Sequence, residues 1–128
     1  MADFIVRPDG MPAPNGYSHV TIAHGDTMFI SGQVPVGADG EVVSADPSAQ
    51  VEQVFINLGT ALAAVGLDFS QVVKLTYYLV DLADLAVVRE VRDRFLDPAR
   101  LPASSLIQVA GLVSPAFRVE IDAVASLG

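Results

Sequence analysis

Cysteine and tryptophan are absent from this chain of 128 residues, and lysine occurs once, at Lys74. Without cysteine the chain has no disulfide, no thiolate nucleophile and no cysteine-ligated metal, although this does not fix the compartment. No apolar run approaches the roughly 20 residues of a membrane span, and the first residues show no basic segment followed by an apolar run. We therefore expect a soluble protein of the cytoplasm.

Positive charge is also scarce. The chain has 7 Lys and Arg residues against 15 Asp and Glu residues, which leaves a formal charge of −8. Because nucleic acids are bound mainly by Lys and Arg that neutralise phosphates, no nucleic-acid partner is expected. The histidines, His19 and His24, bracket a predicted strand, and no H-x-x-x-H or H-x-E spacing joins them to another ligand, so no metal site is expected.

Motifs for a serine nucleophile and for nucleotide binding are missing too. No G-x-S-x-G elbow surrounds Ser104 or Ser105, so the sequence does not support a hydrolase of that type. No G-x-G-x-x-G or G-K-[ST] loop occurs, so nucleotide binding has no signature.

Apolar residues, in contrast, make up 52% of the chain. The length suits one domain over residues 1–128, and we expect part of the apolar surface to lie in subunit interfaces. A polar turn at 24–26 between the apolar runs 20–23 and 28–31 predicts a β-hairpin, and a short strand is expected before Pro8.

Two helices are predicted. Asp46 is a good N-cap, Pro47 fits the first helical position, and Gly66 is a natural stop. The second helix begins at Asp81 and ends at 97–98, where proline follows aspartate. Each helix carries an apolar stripe at helical spacing: Val51, Val54, Phe55, Leu58, Ala61, Leu62 and Val65 in the first, and Leu85, Val88, Val91 and Phe95 in the second.

Further strands are predicted at 72–80, 105–109 and 118–125. The order β-β-α-β-α-β-β predicts an α/β (α+β) layer structure, with one mixed sheet and two helices on one face. Because segment 72–80 is apolar on both faces, it is expected to be buried on both sides. Two helices cannot cover both faces, so we expect another subunit to cover the second.

The charged residues on these elements have a simple interpretation. Arg89, Arg92 and Arg94 lie on the second helix, where a solvated face with ion pairs, such as Glu90 with Arg94, accounts for them. Glu120 alternates with apolar neighbours in the last strand, and taken alone it belongs to a solvent-facing stripe.

From about Tyr17 to Ala125 the chain nevertheless resembles the Rid (YjgF) family. The final acidic block and the Ser-Gly-Gln-x-Pro block are fairly specific in combination. The segments that carry the resemblance are Gly16-Tyr17-Ser18, Phe29-Ile30-Ser31-Gly32-Gln33-Val34-Pro35, Gln53-Val54-Phe55, Asn57-Leu58, Val72-Val73-Lys74, Thr76, Leu79, Asp81, Pro102-Ala103-Ser104-Ser105 and Val119-Glu120-Ile121-Asp122-Ala123-Val124-Ala125.

This resemblance implies a chorismate-mutase-like fold and a homotrimer with a central barrel of sheets, helices outside and a cleft at each subunit interface. The best-known members hydrolyse reactive enamines and imines, which amino-acid dehydratases release, to 2-keto acids and ammonia. They need no metal or organic cofactor. The implied partner is a small molecule in the cleft between subunits.

One motif departs from the family pattern. In those members a Pro-Ala-Arg-Ser motif supplies the arginine that binds the substrate carboxylate, a task that suits a bidentate guanidinium. Here the motif reads Pro102-Ala103-Ser104-Ser105, so a neutral hydroxyl stands in place of the charge. Arg89, at a helix position that is commonly asparagine in the deaminases, is a candidate to replace it.

The resemblance implies the remaining site residues as well. Tyr17 lines the cleft, the backbone around Leu106 contacts ligands, and Glu120, the implied catalytic residue, positions or activates water. Gly32 and Ser105 complete the implied substrate-binding set.

Two functions stay open from the sequence. The first is a hydrolytic enamine/imine deaminase with altered or reduced substrate scope. The alternative is a non-catalytic member with a small-molecule binding or regulatory role. A ribonuclease or translation-inhibitor role ranks third because of the charge of −8.

Overall fold

The computed structural model describes residues 1–128 and contains six strands and two α-helices. Single turns of 3-10 helix lie at Phe69–Gln71 and Leu82–Asp84. In chain order the elements are β1 (Asp3–Ile5), β2 (Val20–Ile22), β3 (Thr27–Gln33), α1 (Pro47–Ala63), β4 (Val72–Leu79), α2 (Leu85–Phe95), β5 (Ala103–Gln108) and β6 (Val119–Ser126).

A four-stranded sheet in the order β3-β6-β4-β5 forms the centre of the fold. Strands β4 and β5 are parallel, whereas β6 is antiparallel to both of its neighbours. Strands β1 and β2 form a separate antiparallel ribbon, so the strand predicted before Pro8 is present. The predicted chorismate-mutase-like α+β fold, with a mixed sheet and two helices on one face, is confirmed.

The predicted hairpin between β2 and β3 is wrong. Strand β2 pairs with β1, and β3 pairs instead with β6, where Met28 lies opposite Ala125. The turn between β2 and β3 is bound to the end of the chain: the Ser126 hydroxyl accepts from the His24 amide at 2.9 Å and donates to the His24 carbonyl at 2.7 Å. Strand β6 therefore pairs with one edge of β3, and β2 pairs with β1 instead of with the other edge.

The helix ends follow the predicted caps with one shift. Asp46 accepts a hydrogen bond from the Ala49 amide at 3.0 Å, and Gly66, with φ +75°, follows the end of α1. Asp81 caps the 3-10 turn before α2, so the α-helix itself begins at Leu85.

The core lies between the helices and one face of the sheet. Phe55 packs against Phe95 with ring centroids 5.2 Å apart and against Tyr77 at 6.4 Å. The largest side chains below 2% exposure come from α1, α2, β4 and β6, and include Val51, Val54, Phe55, Leu58, Leu62, Leu75, Leu79, Val88, Val91 and Ile121. Five members of the predicted stripe of α1 are buried, whereas Ala61 is partly buried and Val65, which lies beyond the end of the helix, is 52% exposed.

The second face of the sheet is open in the protomer, and it is more polar than segment 72–80 suggested. Lys74 donates to the Ser105 hydroxyl at 3.0 Å, and the Tyr78 hydroxyl donates to Asp122 at 2.9 Å. This bond to Asp122 raises the pKa of Tyr78. An apolar side chain also stands here on β3, because Phe29 is 79% exposed.

No helix in the structure combines the length and the apolar character that crossing a membrane requires.

Two polar contacts attach the helices to β6 and its preceding loop. The Arg118 guanidinium donates to both carboxylate oxygens of Asp84, at 2.9 and 3.0 Å, where α2 begins. Buried Gln50 in α1 donates to the carbonyls of Ser44 and Ala116 at 2.8 and 2.9 Å and accepts from the Arg118 amide at 2.8 Å. Its side chain therefore satisfies three backbone groups.

We expect Gln50→Met to lower the free energy of unfolding by about 2 to 4 kcal/mol, because it leaves buried backbone groups without partners. Urea denaturation followed by circular dichroism measures the change. Gln53→Met is the matched control: Gln53, on the same helix, makes one amide hydrogen bond, to Asn57, and should lose about 1 kcal/mol or less. Equal losses in the two variants would contradict this role for Gln50.

Candidate functional site

A cleft of about 420 Å³ lies between α2, β5 and the loop before β2. It contains four of the residues that the sequence indicated, Tyr17, Arg89, Ser104 and Leu106. Its apolar wall comes from Leu82, Leu85 and Val88, and Asn15, Tyr77 and Arg92 complete the lining.

The ladder of β5 positions the serine of the altered motif. Ser104 pairs with Leu75 and Leu106 pairs with Tyr77, so both side chains project to the helix-covered face. Strand β5 is an edge strand, which leaves the space beside α2 open. The Ser104 hydroxyl makes no hydrogen bond within the chain, so it is free to contact a ligand.

Arg92 lies at the base of this cleft and is 8% exposed, so the prediction of a solvated side chain was wrong. Its Nε donates to Asp93 at 2.9 Å and its Nη1 to the Asn15 carbonyl at 3.4 Å. The prediction held for Arg94, which is exposed and lies 3.6 Å from Glu90. Arg89 is exposed at the mouth of the cleft and makes no hydrogen bond within the chain.

Gly16 makes the position of Arg92 possible. Its φ of +73° lies in the left-handed region, which favours glycine. A Cβ atom at this position would also lie 2.8 Å from Nη1 of Arg92 and closer still to its Cζ and Nη2 atoms. The loop therefore needs glycine here both for its backbone and for the space that Arg92 occupies.

Tyr77 presents a buried hydroxyl without a partner. The residue is 3% exposed, its ring packs on Phe55, and no group in the chain bonds to its oxygen. Burial raises the pKa of Tyr77 well above its usual value, while the charge of Arg92 acts in the opposite direction.

Neither Tyr77 nor Arg92 was predicted from the sequence as a site residue. Tyr77 lies in segment 72–80, which was expected to be buried on both sides. A signal for Arg92 existed, because Leu85, Val88, Arg92 and Phe95 have the spacing of one helix face. An arginine on an apolar stripe marks a guanidinium that points toward the body of the protein.

The cleft is positively charged although the protein as a whole is acidic. Two arginines line it and no Asp or Glu does, in a chain with a formal charge of −8. Asp93 contacts Arg92, but its own side chain is 64% exposed. The lining therefore suits a small anion with an apolar part.

The other predicted residues, Glu120, Gly32 and Ser105, lie on the open face of the sheet. Glu120 pairs with Tyr78, its carboxylate lies over Gly32, and it makes no hydrogen bond within the chain. A Cβ atom at Gly32 would lie 2.8 Å from Cδ of Glu120, so a larger residue there would displace the Glu120 side chain. Within one protomer, the predicted catalytic acid is therefore on the opposite face of the sheet from the cleft.

The histidines are both tied to neighbouring backbone or side-chain groups. His24 lies 2.9 Å from Asp3, and His19 lies 2.8 Å from the Pro12 carbonyl. No group of three His, Asp or Glu side chains in the structure is arranged to hold a metal ion.

Comparisons with known proteins all indicate the same family. The family model described as endoribonuclease L-PSP matches residues 9–127. Protein DfrA of Myxococcus xanthus is 44% identical, over 98% of this chain and 96% of that protein. A 2-iminobutanoate/2-iminopropanoate deaminase of Rattus norvegicus is 32% identical, over 97% of this chain and 90% of that protein.

A solved structure shows the same architecture. The Rid protein YyfB from Yersinia pestis superposes with a TM-score of 0.91 at 36% identity, over 98% of each chain. The family model, the relatives and this superposition each extend over nearly the whole sequence, and together they show that the chain belongs to the Rid (YjgF) family.

Proposed function

We propose that this protein is a hydrolytic deaminase of reactive enamine and imine intermediates, with a substrate scope altered at Ser104. The observation that carries the proposal is the cationic cleft, which Arg89 and Arg92 line without a carboxylate. Relatives at 32% to 38% identity are named 2-iminobutanoate/2-iminopropanoate deaminase and Reactive Intermediate Deaminase A. An imine derived from an amino acid carries the carboxylate that such a cleft attracts.

The reaction needs a water molecule and a proton acceptor. Water adds to the imine carbon, the C–N bond breaks, and a 2-keto acid and ammonia form. A carboxylate within hydrogen-bond reach of that water orients it and accepts its proton. Glu120 is the proposed group, because its side chain is partly exposed and not engaged by the rest of the chain.

This chemistry requires a second copy of the chain. Glu120 and the cleft lie on opposite faces of one sheet, so a neighbouring protomer has to bring its open face to the cleft. We therefore propose a homotrimer in which each small-molecule site lies between subunits. The 79% exposure of Phe29 on the open face supports burial there. The cytoplasmic location stays a prediction.

A non-catalytic binding role is the alternative, and the loss of the motif arginine favours it.

We expect the wild type to hydrolyse 2-iminobutanoate more slowly than an arginine-bearing relative. Ser104→Arg should raise the rate of hydrolysis by about tenfold or more, because it restores a charged partner for the substrate carboxylate. Ammonia release from imines generated in situ by a dehydratase measures the rate.

Ser104→Leu is the control for that experiment, since it adds bulk without charge. Glu120→Gln should remove activity from both the wild type and Ser104→Arg. Absence of activity in both proteins, with retained binding of a 2-keto acid, would establish the binding role instead.

The assembly is tested separately. We expect light scattering to give the mass of a trimer at micromolar concentration, and Phe29→Glu to shift the mass toward the monomer by placing a charge in the interface. Lys74→Glu is the control, because it introduces the same side chain on a polar part of the open face. It tests whether any added acidic side chain on this face disrupts the trimer. A monomeric wild type would contradict the shared site.

RNA binding is not expected, despite the description of the family model. The charge of −8 opposes a polyanion, and the two arginines of the cleft are too few for a phosphate backbone. A filter-binding assay at physiological salt should therefore show no retention of single-stranded RNA. Tight binding that weakens as salt increases would contradict this expectation.

A further inference from the structure

We propose that Arg92 and the hydroxyl of Tyr77 form the carboxylate-binding subsite of the cleft. This assignment rests on the proposed function, because it names the group that holds the substrate in the same site. It places the charge on α2 rather than on β5, where the motif carries Ser104.

Arg92 has the geometry of a binding group. Its Nε and Nη1 atoms each use one N–H group, on Asp93 and the Asn15 carbonyl. A guanidinium has five N–H donors in a fixed fork. Those that do not contact Asp93 or Asn15 have no partner in the chain. Asp93 and Asn15 thus orient the guanidinium and leave donors for an anion.

Burial gives Arg92 an energetic reason to bind an anion. Arg92 is 8% exposed and has therefore lost most of its hydration. For a charged side chain this loss is unfavourable unless protein or ligand groups accept its hydrogen bonds. The exposed Asp93 compensates only part of that loss, since water screens its charge. An incoming carboxylate would complete the hydrogen bonding of the guanidinium.

Tyr77 supplies the second donor. A buried hydroxyl without a partner is unfavourable and uncommon in native proteins. This one belongs to a residue that lines the same cleft as Arg92. A carboxylate has two oxygens, so it can accept from the guanidinium and from the phenol together.

Arg89 has a different part in this arrangement. It lies at the mouth, exposed and without a hydrogen bond that would fix its guanidinium. Its charge is therefore screened by water and its side chain keeps its rotamer freedom. It draws anions toward the cleft, whereas Arg92 holds the bound carboxylate.

The test compares two ligands that differ in charge. Isothermal titration calorimetry with the whole protein measures the affinity for 2-oxobutanoate, which does not turn over, and for its neutral amide. We expect the wild type to prefer the carboxylate. Arg92→Met should weaken binding of the carboxylate by about 10- to 100-fold and hardly change binding of the amide.

Two milder variants guard against misfolding. Arg92→Lys keeps the charge but loses the fork, so its affinity should fall between the wild type and Arg92→Met. Tyr77→Phe should weaken binding of the carboxylate by about 5- to 10-fold while the melting temperature stays equal or rises, because an unpaired hydroxyl is removed. Arg94→Met, an exposed arginine on the same helix, should leave the affinity unchanged.

The proposal fails if Arg92→Lys and Tyr77→Phe both bind 2-oxobutanoate like the wild type, or if Arg89→Met alone abolishes the preference for the carboxylate. Failure of the enzymatic function gives a different pattern. The carboxylate would then bind with the expected dependence on Arg92 and Tyr77, but no ammonia would form from the imine. Turnover with an unchanged KM in Arg92→Lys and Tyr77→Phe would instead keep the deaminase and reject the subsite.

Discussion

A four-stranded sheet has two faces, and this chain has two helices, both packed on the same one. The rest of the structure depends on that imbalance. Helix α2 lies beside the edge strand β5 and forms the wall of the cleft, and the two bonds from Arg118 to Asp84 fix its first turn to β6. The uncovered face presents Glu120. Covered and uncovered faces thus hold the two halves of the predicted site.

Local signals in the sequence were sufficient for much of the fold. The caps at Asp46 and Asp81 and the stop near Gly66 predicted the helices, and the apolar residues of segments 72–80 and 118–125 predicted β4 and β6. The buried side of β4 was not predicted, because segment 72–80 was expected to be buried on both sides. The pairing of β2 and β3 was wrong because a polar turn reports a reversal of the chain and not the partner of each strand. The partner of β3 is β6, which lies far along the chain: Thr27, for example, pairs with Ser126. The residues of a turn do not encode such a distant pairing.

For the site, motifs located four of the cleft residues but not the residues with the most unusual surroundings. Tyr77 belongs to a strand whose alternation predicts burial, and alternation says nothing about whether a hydroxyl finds a partner. Arg92 was grouped with Arg89 and Arg94 as a surface charge, yet its helical phase matches Val88. Alternation in the last strand did place Glu120 on a solvent-facing side, but it does not reveal that the cleft lies on the other face of the sheet.

The contact between Gly16 and Arg92 links two positions that are 76 residues apart in the chain. The space that a side chain at 16 would occupy is the space that the guanidinium fills. Substitutions at the two positions should therefore be coupled: among homologous proteins, a residue larger than glycine at 16 is compatible with a shorter side chain at 92. Sequence variation at this pair would then distinguish homologues with an arginine under the loop from those that hold their ligand in another way.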